Sequence, residues 1–297
     1  MQSFQWYDAN GILFNLTDPR FTLSAFDPGG IPGIEITTTA PFQQGATSII
    51  CLLDPVIVSL EFDVVCTTLS EAVVLMQAIK TAFNPLTGIG HLYLTRDDGQ
   101  IFRLDCRANR GFPYFPPAYP KRFLKSTNPW FTLQLQLQAT DPFWYSGSTH
   151  LQYFPATVPV FPPLTIPWSL GSGTPSGTIT NAGNVNTPVS IVLTDAMTNP
   201  VITNTTTRSG VVVTESLSLT IVMNAGDRFD IDTAFGKQTA IYTPSGGPAA
   251  NGFPYINPSS EFWELQPGEN NIACTFTSPA AATLATIIWS DKYVGVM

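Results

Sequence analysis

The sequence predicts a mainly β protein of two modules with a single helix. Short alternating runs recur along the chain, and 26 prolines and 22 glycines punctuate it at short intervals. Charged residues make up only 11%, less than half the usual share, so Thr, Ser, Asn and Gln supply the polar surface. Many short strands joined by turns fit that composition. With 297 residues and 44% apolar content, the chain is long enough to bury two cores.

Residues 1 to 66 alternate between candidate strands (GILFNLT, IEITTTA, ATSIICLL, VIVSLEFDVVC) and Gly/Pro turns such as DPGGIPG. The stretch TLSEAVVLMQAIKTAFNPLTG reads as the helix. Thr68 and Glu71 have the spacing of a capping box, and Asn84-Pro85 with Gly88 ends the element. Apolar residues cover nearly its whole circumference: Leu69, Val73, Met76, Ile79 and Phe83 on one side, Val74, Leu75, Ala78 and Ala82 on another. Such a helix is expected to be buried on more than one side, either within its own domain or between subunits. GHLYLTRDDGQIFRLDCRA is a hairpin turning at Asp98-Gly99. The next strand, FTLQLQLQAT, puts Leu133, Leu135 and Leu137 on one face and Thr132, Gln134, Gln136 and Gln138 on the other. It stops at Asp141-Pro142 and the aromatics Phe143, Trp144 and Tyr145.

Three segments follow from these patterns: a module over 1–150, a Pro-rich crossover over 151–180, and an all-β module over 181–297. No Asp, Glu, Lys or Arg occurs from Pro142 to Thr194, and proline keeps FPATVPVFPPLTIPW from continuing a sheet ladder. Beyond it, TPVSIVLT, LSLTIVM, DRFDIDT, KQTAIYT, SEFWELQ, NNIACTFT and ATIIWSDKYVGV alternate with turns such as QPGENN, which suggests a sandwich.

Chemistry is sparsely provisioned. Two histidines, His91 and His150, stand in unrelated contexts, and no nucleophile elbow, phosphate loop or zinc-binding spacing is present. No catalytic, cofactor or metal site is expected. Cys51, Cys66, Cys106 and Cys274 are scattered within apolar runs and read as reduced core thiols. The pairs Glu61/Asp63 and Asp230/Asp232 read as solvated strand faces. Tyr255 and Trp263, with Phe253 and Phe262, read as core and turn packing or as an exposed platform for sugar. A net charge of -8 disfavours nucleic-acid capture, and no apolar run is long enough to span a bilayer. The amino end, MQSFQWYDAN, does not read as a secretory signal. Arg96, Arg103, Arg107, Arg110, Lys121, Arg122 and Lys125 nevertheless gather seven of the thirteen basic residues around the hairpin and the loop after it. They form a solvated face or one that meets an acidic partner.

The order of these features resembles the siphophage distal tail protein family. An opening strand pair leads to IICLLDPVIVSLEFDV, a capped helix closing on FNPLTGIGHLYL, the strand QIFRLDCRA and the final ATDPFW, as in that family's tail-tube-like amino-terminal β-sandwich with one α-helix. TPVSIVLT, GDRFDIDT, SEFWELQPGENNI and DKYVGV resemble its galectin-like, jelly-roll type carboxyl-terminal sandwich. The resemblance implies a structural virion protein without enzymatic activity, placed at the distal end of the tail. It implies a homo-hexameric ring joining the tail tube protein to tail-tip or fibre proteins. Tape measure protein and DNA would pass through its channel without specific binding. On this reading Val74, Leu75, Ala78, Arg103, Arg107, Arg110 and Arg122 are candidate interface residues. Thr132, Gln134, Gln136 and Gln138 are candidates for a neutral to negative channel wall from which the basic cluster mostly faces away. Two other readings stay open: a carbohydrate-binding tail accessory protein, marked by joint exposure of Tyr255 and Trp263, and a further tail-tube subunit, marked by polymerisation beyond one ring.

Overall fold

The computed structural model describes residues 2–30, 33–38, 47–109, 113–115, 129–156, 174–280 and 282–296. The chain forms two compact units, one of Met1–Gly147 with Tyr293–Met297 and one of Ser148–Lys292.

The first unit contains β1 (Ser3–Tyr7), β2 (Leu13–Asn15), β3 (Phe21–Asp27), β4 (Gly33–Thr38), β5 (Thr47–Leu53) and β6 (Val56–Val65). After them come α1 (Leu69–Ala82), β7 (Gly90–Thr95), β8 (Ile101–Ala108), β9 (Trp130–Ala139) and β10 (Trp144–Ser146). The main sheet runs β2-β1-β7-β8-β9-β6-β3, while β4 and β5 pair separately. β8 is the corner: only its Arg107 and Ala108 pair with β9, while Phe102 and Arg103 pair with β10. Both halves of the sheet share one core, Phe4, Trp6, Leu92 and Leu104 from one side and Val58, Leu60, Phe62, Leu133, Leu135 and Leu137 from the other. The strict alternation of β9 sets that register, since a one-residue slip would turn its leucines outward. The hairpin turns as expected, with Arg96 N donating to Gln100 O at 2.9 Å and Gly99 at a φ of 84° that other residues rarely adopt.

The helix begins where the sequence predicts. Thr68 Oγ1 accepts from Glu71 N at 3.2 Å, but Glu71 reaches one residue further back than a standard capping box, accepting from Thr67 N at 2.9 Å and Thr67 Oγ1 at 2.7 Å. Its other oxygen takes a 3.1 Å bond from Arg20. The hydrogen bond from the Thr67 hydroxyl, then the one from its backbone, then Arg20, hold the Glu71 carboxyl down from its ordinary 4.5 to about 2. Because the folded value is depressed, this stabilisation is complete above the ordinary carboxylate range and is lost as pH falls toward 2. Glu71→Gln is therefore expected to lower the thermal midpoint at pH 7 and to converge on the parent protein near pH 2. Melts of both proteins across that range check it.

Trp6 closes the other end of α1, donating from Nε1 to Ala82 O at 2.8 Å and stacking on Phe83 at 5.0 Å between ring centroids. Gly90 lets that ring sit close, because a Cβ there would lie 2.5 Å from the Trp6 ring. Within its own unit the helix is buried on one side only, so the reading of a helix sunk on several sides in its own domain is corrected. Ala72, Leu75 and Ile79 enter the core, while Leu69, Val73 and Val74 stay exposed.

The second unit holds β11 (His150–Pro155), β12 (Ser176–Asn181), β13 (Ser190–Thr194), β14 (Met197–Arg208), β15 (Val211–Ser218) and β16 (Val222–Met223). It continues with β17 (Arg228–Asp232), β18 (Thr239–Thr243), β19 (Ala250–Asn251), β20 (Gly268–Thr277), β21 (Leu284–Trp289) and β22 (Lys292–Tyr293), the last of which ends in the first unit. One sheet is β11-β21-β13-β17-β18-β19; the other is β12-β20-β14-β15, with β16 on β14. Ile191, Leu193, Phe229 and Ile287 of the first share a core with Ile179, Ile202, Ile272 and Cys274 of the second. In the QPGEN turn before β20, buried Asn270 donates to Gln266 O and Gly268 O at 2.8 and 3.0 Å and accepts from Gln266 N at 2.9 Å.

Both ends of the 151–180 crossover are strands rather than linker. Residues 151–155 lie in β11, paired with β21, and 176–180 lie in β12, paired with β20. β11 is an edge strand whose proline is its last residue, a position where a missing N–H breaks no ladder bond.

Candidate functional site

The outer face of the first unit's sheet and the uncovered side of α1 are the candidate surfaces. On β9, Gln134, Gln136 and Gln138 are half-buried and face outward, as the alternation predicts, and Thr132 is more deeply set. Neighbouring β6 adds Ser59, Glu61 and Asp63 to the same face, directly opposite Gln136, Gln134 and Thr132. Gln134 Nε2 donates to Glu61 at 3.2 Å, and Asp63 accepts from Thr132 Oγ1 at 3.1 Å and Ser24 Oγ at 2.7 Å. The amides and hydroxyls therefore orient a pair of carboxylates, and Asp27 of β3, opposite Ser59, extends the acidic strip.

Of the basic cluster, Arg96, Arg103 and Arg107 are among the described residues. Arg107 pairs directly with Gln138, so the two side chains share a face, and Arg103 follows Arg107 at even spacing on β8. The short pairing of β8 with β9 at the corner puts Arg107 at the margin of the β9 amides. Arg103 Nε lies 3.1 Å from Asp105, which also sits 2.7 Å from His91 Nδ1, so this end of the face carries both signs. Arg110 and Arg122, with Lys121 and Lys125, lie outside the described residues.

On α1, Val74 is 62% exposed and Ala78 is exposed beside it, while Leu75 is 7% exposed and belongs to the core. Leu75 is thus corrected from interface candidate to core residue. The helical wheel had apolar side chains all round and did not say which side met the sheet. The exposed side, Leu69, Ser70, Val73, Val74, Gln77, Ala78, Lys80 and Thr81, carries one charge, that of Lys80, whose Nζ lies 5.7 Å from the Phe115 ring centroid.

In the second unit the aromatic platform is also corrected. Trp263 is 1% exposed, inside the core, and Tyr255 is half-buried against Tyr242 and Phe229. They offer no joint surface. His150 sits 3.2 Å from Asp291 and 5.3 Å from the Trp289 ring. Cys66, Cys106 and Cys274 are free and buried, and burial pushes the Cys274 thiol up to about 12.

Residues 182–293 match the family described as siphovirus-type tail component, C-terminal domain. The crystal structure of Dit from phage SPP1, described as a paradigm of the hub adsorption apparatus in phages infecting Gram-positive bacteria, is 13% identical with a TM-score of 0.62, covering 97% of this chain and 98% of that one. Chains of the phage P2 baseplate in its activated conformation, with calcium and with strontium, are 9% and 10% identical at TM-scores of 0.53 and 0.52, with full coverage of both chains. No curated protein matches. At these identities the solved structures establish the fold, and the family match carries the assignment. Residues 182–293 therefore carry the C-terminal domain of siphovirus-type tail components, and the chain as a whole is similar in fold to SPP1 Dit.

Proposed function

We propose that six copies of the first unit close head-to-tail into a ring that joins the tail tube to the tail-tip and host-adsorption proteins. The observation that carries this reading is the half-apolar outer side of α1, where Leu69, Val73, Val74 and Ala78 are exposed and Lys80 is the one charge, on a unit that already has its own core. Heterologous contacts that close by rotation need such a patch meeting a different surface of the next copy. The acidic and amide strip of β3, β6 and β9 lines the channel in this reading, where tape measure protein and then DNA pass without being gripped. Arg103 and Arg107, with Arg110 and Arg122, meet acidic groups of a neighbouring chain and add register more than affinity, at about 0–1 kcal/mol for each exposed pair. The second unit is the attachment module for peripheral tail proteins.

Native mass spectrometry and negative-stain imaging of the purified chain test the proposal. The expected result is a six-fold ring with a central hole. Monomer alone at high concentration, together with no such ring in assembled tails, overturns it, and open-ended tubes favour a tail-tube subunit instead.

A further inference from the structure

β14 changes character along its length. Ile202 is buried in the core, yet the inward positions after it are Asn204, Thr206 and Arg208. Across the ladder on β15, Leu217 is followed outward by Glu215, which lies opposite Asn204. A strand that had only to close a sandwich would continue in apolar residues here. Arg208 donates to Glu215 at 2.6 Å. Arg208 Nε, Asn204 Oδ1, Thr206 Oγ1, Thr187 Oγ1 and Trp263 Nε1 are buried with no hydrogen-bond partner among the described residues. Buried polar atoms are nearly always satisfied, so a group of them at one end of a core calls for something that supplies the missing bonds.

Two of these residues, Arg208 and Trp263, line a cleft of about 350 Å³ between the β14–β15 hairpin, the β17–β18 loop and the segment before β20. Arg208, Glu215, Trp263 and Glu264 line it, and Gln238 and Gln266 add amides. Phe235, also lining it, is 92% exposed and therefore stands at the mouth. Burial pushes the Glu264 carboxyl up.

We propose that this cleft binds a neutral saccharide unit. Amide, carboxylate and guanidinium groups held side by side offer both donors and acceptors, which is what adjacent sugar hydroxyls require. The exposed Phe235 ring can cover the apolar C–H face of a pyranose. Glu215 and Glu264 outnumber Arg208, so the cleft disfavours a phosphate or carboxylate ligand. The site lies wholly in the second unit and does not depend on ring assembly.

Saturation-transfer NMR on the full chain, with glucose, galactose, N-acetylglucosamine and rhamnose as probes, tests it. At least one sugar is expected to bind with a Kd on the order of 1 mM, and Phe235→Ala and Glu215→Gln are each expected to weaken it about tenfold or more. Phe235→Ala should leave the unfolding midpoint unchanged, because that ring is exposed. Absence of transfer to all four sugars at ~50 mM overturns the proposal, and so does binding indifferent to Phe235→Ala.

Discussion

Val74→Glu is expected to abolish the ring while leaving the protomer folded. Val74 is 62% exposed on the side of α1 opposite Ala72 and Ile79, so the isolated unit tolerates a carboxylate there. Within a closed ring the same carboxylate would be stripped of water without a partner, at a cost of several kcal/mol for every interface. The adjacent position behaves oppositely. Leu75 lies in the core with Ile79 and Phe83, where truncation alone costs about 2–5 kcal/mol and a charge costs more. Leu75→Glu should unfold the first unit. Native mass spectrometry paired with thermal melts separates the outcomes, and a Val74→Glu protein that still forms rings would remove α1 from the interface.

Reversing the charge of the strip is the second large effect. Glu61→Lys with Asp63→Lys changes each protomer by four charges on a face where amides and hydroxyls already hold side chains in place. Repeated around six copies, this makes a basic girdle facing a polymer with one charge per ~1.7 Å of its axis. Fluorescence anisotropy should then report duplex binding that weakens by about 10³ or more between 50 and 200 mM salt, as expected for some six phosphate contacts. The unmodified ring should bind negligibly at physiological salt. Tight binding by the unmodified ring would place Arg103 and Arg107 in the channel and turn the protein into a DNA clamp.

Much of the architecture is legible in the residues. The pencil-straight alternation of β9, the Thr68 and Glu71 cap, the Asp98-Gly99 turn and the turns of the second unit are local signals, and local rules read them. What local rules miss is which strands become neighbours. β1 pairs with β7 some eighty residues away, and the short contact of β8 with β9 puts Arg107 beside Gln138. Nothing within either strand announces that. Leu75 and Val74 differ only in which one meets the sheet. Trp263 is buried in the second unit's core, so its apolar size, not its capacity for sugar, fixed its position. The cleft beside it was visible only as an oddity in VITNTTTR, where Asn204, Thr206 and Arg208 occupy inward positions after Ile202.

The return of Tyr293–Met297 to the first unit has a consequence for biosynthesis. Val296 is buried in that unit's core, and Tyr293 packs edge-on against Phe102 at 5.2 Å. A nascent chain therefore cannot complete its first unit when residue 147 leaves the ribosome. The entire second unit must be translated in between, a delay of roughly seven to thirty seconds at elongation rates of about 5–20 residues per second. During that interval the unit waits with part of its core open, and a polypeptide released before residue 293 never acquires the closing side chains. Translation through Val296 thus acts as a checkpoint, so that chains terminated before it are poor competitors for assembly.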